Sequence, residues 1–116
     1  INDLEKFVFL FEAMVERDLK IYADSFNAKC YHYQDYQDKE IDSVIELENG
    51  EWCAFEIKLG AHQIEKAAKD LLKLKEQIEK DNGKAPSVLC VICGLTNAAY
   101  KRPDGVYVVP ITALKP

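Results

Sequence analysis

Asp42, Glu56 and Lys58 are the residues whose types and spacing could do chemistry. Two carboxylates can share a divalent cation, and an ammonium beside them can meet charge that builds on a phosphate. Glu56 and Lys58 sit in "EWCAFEIKLG", residues 51–60, which is otherwise rich in apolar residues: Trp52, Ala54, Phe55, Ile57 and Leu59. Side chains on a strand alternate, so Glu56 and Lys58 share one face while Ile57 takes the other. Charged residues are seldom buried unless paired or holding something. The plainer alternative is a surface ion-pair ladder on a sheet that keeps one face wet.

Whether Asp42 joins them depends on the turn between "KEIDSVIEL" and "EWCAFEIKL". A two-residue Asn49-Gly50 turn would set Asp42 opposite Ile57 and scatter the charges over both faces. A three-residue loop, Glu48-Asn49-Gly50 with Gly50 left-handed, pairs Leu47 with Glu51 instead. Val44 then lies opposite Ala54, Asp42 opposite Glu56 and Glu40 opposite Lys58. The other face collects Ile45 with Cys53, Ser43 with Phe55, and Ile41 with Ile57. This second register separates an apolar face from a charged one and is the one expected. It sets two carboxylates about 5 Å apart at Cβ, which is unfavourable without a neutralising charge. Magnesium, or manganese in its place, is the cofactor these residues imply.

The elements that must position these residues follow from hydrophobic period. Residues 3–23 carry Leu4, Val8, Phe11, Val15, Leu19 and Tyr22 at helical spacing, with Asn2 or Asp3 as the cap. "AKCYHYQDY" reads as a strand, followed by the hairpin. Residues 62–80 form a second helix with a stripe through Ile64, Ala67, Ala68, Leu71, Leu74 and Ile78, ended by Asn82-Gly83. Its lysines and glutamates read as a solvated face. "SVLCVIC" is a strand covered on both faces, "RPDG" a turn, and "VYVV" a last strand. The expected order is α-β-β-β-α-β with a further short strand: an α/β fold with a mixed sheet flanked by helices.

Composition bounds the function. The 116 residues suit one domain, and 48% hydrophobic against 30% charged residues is an ordinary globular balance. No apolar run approaches the roughly 18 residues that span a bilayer, so no membrane partner is expected. The net charge of -5 argues against a stand-alone nucleic-acid binder. Cys90 and Cys93 have C-x-x-C spacing, but three residues apart on a strand they face opposite sides and cannot clamp one zinc. With Cys30 and Cys53 they read as core thiols in a reducing, cytoplasmic compartment. His32, between Tyr31 and Tyr33, and His62, at a helix start, read as packing or capping residues. There is no Gly-rich phosphate loop and no hydrolase triad signature.

Glu12, then Asp42, then Glu56-Ile57-Lys58, in this order of elements, resembles the PD-(D/E)xK nuclease superfamily with its restriction-endonuclease-like fold. More narrowly, "FLFEAMVERDLKIYA", "YHYQDYQDKEIDSVIEL" and "AFEIKLG" look like the C-terminal nuclease-like domain of unknown function in prokaryotic AAA-type ATPases. The likeness runs over nearly the whole chain. It implies that Asp42 and Glu56 bind the metal, that Lys58 assists the attacking water, and that Glu12 is an accessory acidic ligand. Glu12 read from spacing alone is a solvent-facing helix residue beside Glu5 and Glu16.

The resemblance also implies that residues 1–116, which open on Ile1, are one nuclease-like domain from the C-terminal part of a longer ATPase. Its partners would be the ATPase domain of the same chain and DNA. Two departures stand out: Ile41 occupies the place of the proline before the aspartate, and Gln63 is followed four residues later by Ala67 rather than Tyr. The literal Pro103-Asp104 follows the E-x-K strand and precedes Gly105, so it is expected to be a turn and not the motif. Two functions are therefore carried forward: a magnesium-dependent nuclease, and a non-catalytic interaction or regulatory domain that keeps the nuclease fold.

Overall fold

Gly50 takes φ +86°, and the chain turns back on itself around it. The Leu47 N–H donates to the Glu51 carbonyl at 2.8 Å, and the Gly50 N–H donates to the Leu47 carbonyl at 3.0 Å. This is the three-residue loop Glu48-Asn49-Gly50. The Glu51 N–H donates to Asn49 Oδ1 at 2.9 Å and fastens the turn from its side chain. The strands that leave it pair as Glu46 with Trp52, Ile45 with Cys53, Val44 with Ala54 and Ser43 with Phe55.

The computed structural model describes residues 29–36, 39–96 and 98–113, together with Ala13, Arg17, Asp18, Lys20 and Ile21. For residues 29–36, residues 39–42 and Ala113 it describes the backbone alone. Strands β1 (Lys29–Tyr36), β2 (Lys39–Glu46) and β3 (Trp52–Lys58) form an antiparallel meander. A 3-10 turn, Ala61–Gln63, leads into helix α1 (Ile64–Lys80), and the chain returns as β4 (Val88–Cys93). β4 lies parallel to β3, a pairing that requires a crossover, and α1 supplies it. β5 (Tyr100–Lys101) and β6 (Tyr107–Pro110) complete a mixed sheet of order β1-β2-β3-β4-β6-β5. This is a mixed α/β architecture compatible with a restriction-endonuclease-like fold.

α1 buries the residues its period singles out: Ile64, Ala67, Ala68, Leu71, Leu74 and Ile78. They pack on Val44, Ala54, Leu89, Val91, Cys93 and Val108, one face of the sheet, and on Val106 just before β6. A second cluster of Ile45, Ile57, Cys90 and Ile92, backed by Phe55, Val109 and Ile111, occupies the opposite face. β4 contributes to both clusters, as expected of a continuously apolar strand.

The ends of α1 refine the sequence reading. The first turn, with His62 in it, is 3-10 rather than α. At the other end the Gly83 N–H bonds the Ile78 carbonyl at 2.9 Å and the Asn82 N–H bonds the Glu79 carbonyl at 3.1 Å. That is a Schellman arrangement in which Asn82, at φ +61°, is the left-handed residue. The two-residue β5 is too short for periodicity to reveal. Of the helix expected over 3–23, the described residues Ala13, Arg17, Asp18, Lys20 and Ile21 are helical. Its caps and Glu12 lie outside the described residues.

Two substitutions test this frame by urea titration. Leu71, 1% exposed in the helix-side core, should cost about 2–5 kcal/mol when cut to Ala. Gly50→Ala meets only the flexible Lys84 Nζ at 3.3 Å, so its cost of about 1–2 kcal/mol should be backbone strain.

Candidate functional site

β3 carries Glu56 and Lys58 to the edge of the helix-covered face. Ala54, two residues before Glu56, is fully buried against α1. Alternation puts Glu56 on that same face, where it is 8% exposed and its Oε2 is sealed from solvent. Glu56 is therefore not part of a wet surface ladder. A carboxylate placed there is costly unless its charge is balanced. Lys58, the last residue of β3, is half-buried and pairs with Cys93 of β4.

Asp42 stands on β2 next to Ser43, whose partner is Phe55. The observed pairing ends at Ser43 with Phe55; the same register carried one residue on would set the Asp42 position across from Glu56. The side chain of Asp42, like all of Glu12, lies outside the described residues.

Beyond Lys58 the chain turns sharply at Leu59-Gly60 into the 3-10 turn. The Gly60 N–H donates to Gln63 Oε1 at 3.1 Å. A Cβ on Gly60 would lie 2.6 Å from His62 Cε1 and 2.7 Å from Nδ1, so the imidazole occupies the space a side chain would take. Gly60 has ordinary extended angles, φ -101° and ψ 144°, so close approach and not backbone conformation favours glycine here.

Lys58, His62, Gln63, Lys66, Ala67 and Asp70 line a cleft of about 230 Å³ between the end of β3 and the start of α1. Along its α1 wall Lys66 Nζ meets Asp70 Oδ2 at 3.0 Å, one helical turn apart. That hydrogen bond and the Asp70 charge raise the Lys66 pKa, and the Glu56 charge adds to the effect. Lys66 is thus within electrostatic reach of the buried carboxylate.

Other sequence candidates resolve differently. Cys90 and Cys93 are free thiols buried in the two different clusters, so they face opposite sides of β4. Burial, with the neighbouring Cys53, pushes the Cys90 thiol up to about 12. Burial first and Glu51 second raise Cys53 as well. Neither is an activated nucleophile. Among the described residues no three His, Cys, Asp or Glu side chains gather to hold a metal. Pro103-Asp104 lies in a tight turn closed by Arg102 N–H to the Val106 carbonyl, 2.8 Å, and Gly105 N–H to the Arg102 carbonyl, 2.9 Å. Asp104 Oδ1 accepts the Val106 N–H at 3.1 Å, a local structural duty. His32 stands on β1, and its side chain lies outside the described residues. Among the described residues no helix is long and apolar enough to cross a membrane.

Residues 8–114 match a family described as Domain of unknown function (DUF4143). The chain belongs to the DUF4143 family. No curated protein and no solved structure matches it. The DUF4143 domain therefore has to be read from its own geometry.

That geometry adds residues that sequence reasoning left aside. Lys66 and Asp70 read as an i,i+4 pair on a solvated helix face, yet in the DUF4143 domain they wall the cleft beside Lys58. The available signal was the short Leu59-Gly60 link, which forces the first turns of α1 to begin where β3 ends. Gly60→Ala should test how His62 is held. The exposed ring can rotate away, so stability should change by less than about 0.5 kcal/mol. The His62 imidazole proton resonances should nevertheless shift, as read by NMR, and unchanged resonances would contradict the contact.

Proposed function

We propose that the DUF4143 domain is a nuclease-like domain of the PD-(D/E)xK superfamily that hydrolyses nucleic-acid phosphodiester bonds with magnesium or manganese. In this reading it works in the cytoplasm beside an AAA-type ATPase domain of the same chain, with DNA as substrate. The observation that carries the proposal is the hairpin register. Carried one residue past Ser43 and Phe55, it would bring Asp42 opposite Glu56, the buried acid two residues before a lysine that lines a cleft.

The donor chemistry suits a hard divalent cation. Magnesium takes one or two carboxylates and fills its remaining positions with waters and phosphate oxygens. Glu56 offers a carboxylate largely withdrawn from solvent, and Asp42 would supply the second. When bound, the cation supplies Lewis-acid stabilisation of the phosphate and a more acidic water. Lys58 would orient the attacking water and stabilise charge growing on the phosphate, a role its half-buried position at the cleft suits.

A second reading, an interaction or regulatory domain that keeps the nuclease fold, is favoured by the net charge of -5 and by Ile41 before Asp42. Metal binding and cleavage separate the two.

Magnesium or manganese should stabilise the fold by mass action, by about 2.7 kcal/mol at a hundred times Kd, read as a rise in melting temperature. Asp42→Asn should abolish that rise, and an equal rise in the variant would place the ion elsewhere. Lys58→Ala should fold and take up metal normally yet lose magnesium-dependent cleavage, measured in the full-length parent chain. If that wild-type chain, with ATP and magnesium, cleaves no DNA or RNA across a broad panel, the interaction reading replaces the nuclease.

A further inference from the structure

The cleft beside Lys58 carries more hydrogen-bond donors than acceptors. Gln63 Oε1 already accepts the Gly60 N–H at 3.1 Å. A backbone N–H can be met only by the amide oxygen, so the Gln63 NH₂ is the end left to donate. The carboxylate in the lining, Asp70, is engaged by Lys66 at 3.0 Å. Lys58 and Lys66 contribute ammonium groups, and His62 adds an imidazole seated over Gly60. Ala67, fully buried, forms a floor with no polar atom beyond its backbone. A space of about 230 Å³ is ample for a tetrahedral anion with several acceptor oxygens and part of what is attached to it.

The geometry points to a phosphate seat: Lys66, His62 and Gln63 hold a backbone phosphate of a nucleic-acid strand next to the one presented at Asp42, Glu56 and Lys58. This deepens the nuclease reading and rests on it. Lys66 and His62 are positioning residues in this scheme. They contact a phosphate that does not react, while Lys58 reaches from the cleft wall toward the one that does. Asp70 holds Lys66 along the α1 wall of the cleft and at the same time opposes the incoming anion. Asp70 and the nearby Glu56 offset much of the charge on Lys58 and Lys66, so the seat would hold the phosphate by directed hydrogen bonds from these donors and not by a long-range positive field.

The test is fluorescence anisotropy of a labelled single-stranded DNA oligonucleotide with the protein in EDTA, over a series of low salt concentrations. Without metal, the readout is independent of the proposed metal centre. Lys66→Gln should weaken binding several-fold and lower the slope of log K against log salt by about one. Asp70→Asn should tighten binding. Two charge-matched controls on the outer part of α1, Lys73→Gln and Glu76→Gln, should leave both quantities nearly unchanged; these residues line a separate groove with Gln77 and Lys80. His62→Ala should weaken binding with little change in slope. All five positions are at least partly exposed, so melting temperatures should stay close to wild type.

Absence of binding at the lowest salt overturns the seat. So do equal effects at Lys66 and Lys73, which would indicate a diffuse charge effect. Binding that depends on Lys66 in a protein that takes up no magnesium and cleaves nothing supports the seat while removing the nuclease reading.

Discussion

The left-handed conformation at Gly50 is the constraint on which the rest depends. A two-residue turn would slip β2 by one position against β3 and send every β2 side chain to the other face. With Gly50 at φ +86° the loop has three residues, Val44 meets Ala54, and Ile45 meets Cys53. Each face then has a coherent partner set, one packed by α1 and the other built from Ile45, Ile57, Cys90 and Ile92. Glu56 becomes a buried acid on the helix side because of that register and not because of its own preference.

α1 serves two purposes with two faces of one period. Its apolar stripe contains Ala67 and Ala68, both fully buried, so the helix backbone can approach the sheet closely over β3 and β4. Its first two turns carry Lys66 and Asp70 beside that stripe, and the Leu59-Gly60 link is so short that they stand over the end of β3. Core packing and the cleft are thus coupled: the same contact that buries Leu71 and Leu74 holds Lys66 within reach of the Glu56 charge. Ion pairs on the outward side, Lys69 with Glu65 at 3.3 Å and Lys80 with Glu76 at 3.4 Å, are of the exposed kind that adds only a few tenths of a kcal/mol each.

Electrostatics give the domain its asymmetry. A chain of net charge -5 repels a polyanion at long range, so any nucleic-acid contact must come from local arrangement. The donors at the end of β3 and the start of α1 provide such an arrangement, next to a carboxylate largely withdrawn from water. Screening by solvent is weaker at the buried Glu56 than on the open surface, which favours a cation beside it.

The sequence by itself determined the element types, because they follow from local period and turn chemistry. Ile64 to Ile78 repeats at helical spacing, "SVLCVIC" is continuously apolar, and Glu48-Asn49-Gly50 carries the residue that tolerates positive φ. It also determined that Cys90 and Cys93 face apart and that Pro103-Asp104 is a turn, since both depend on neighbours a few residues away. Only the tertiary structure decided that the charged face of β3 is the one beneath α1. Alternation says which residues share a face, but not which face a distant helix will cover. It decided likewise that Lys66 and Asp70, an ordinary surface pair by spacing, line a cleft with Lys58. Their meeting depends on a crossover that sets the start of α1 over the end of β3, and no window of sequence shorter than that crossover contains it.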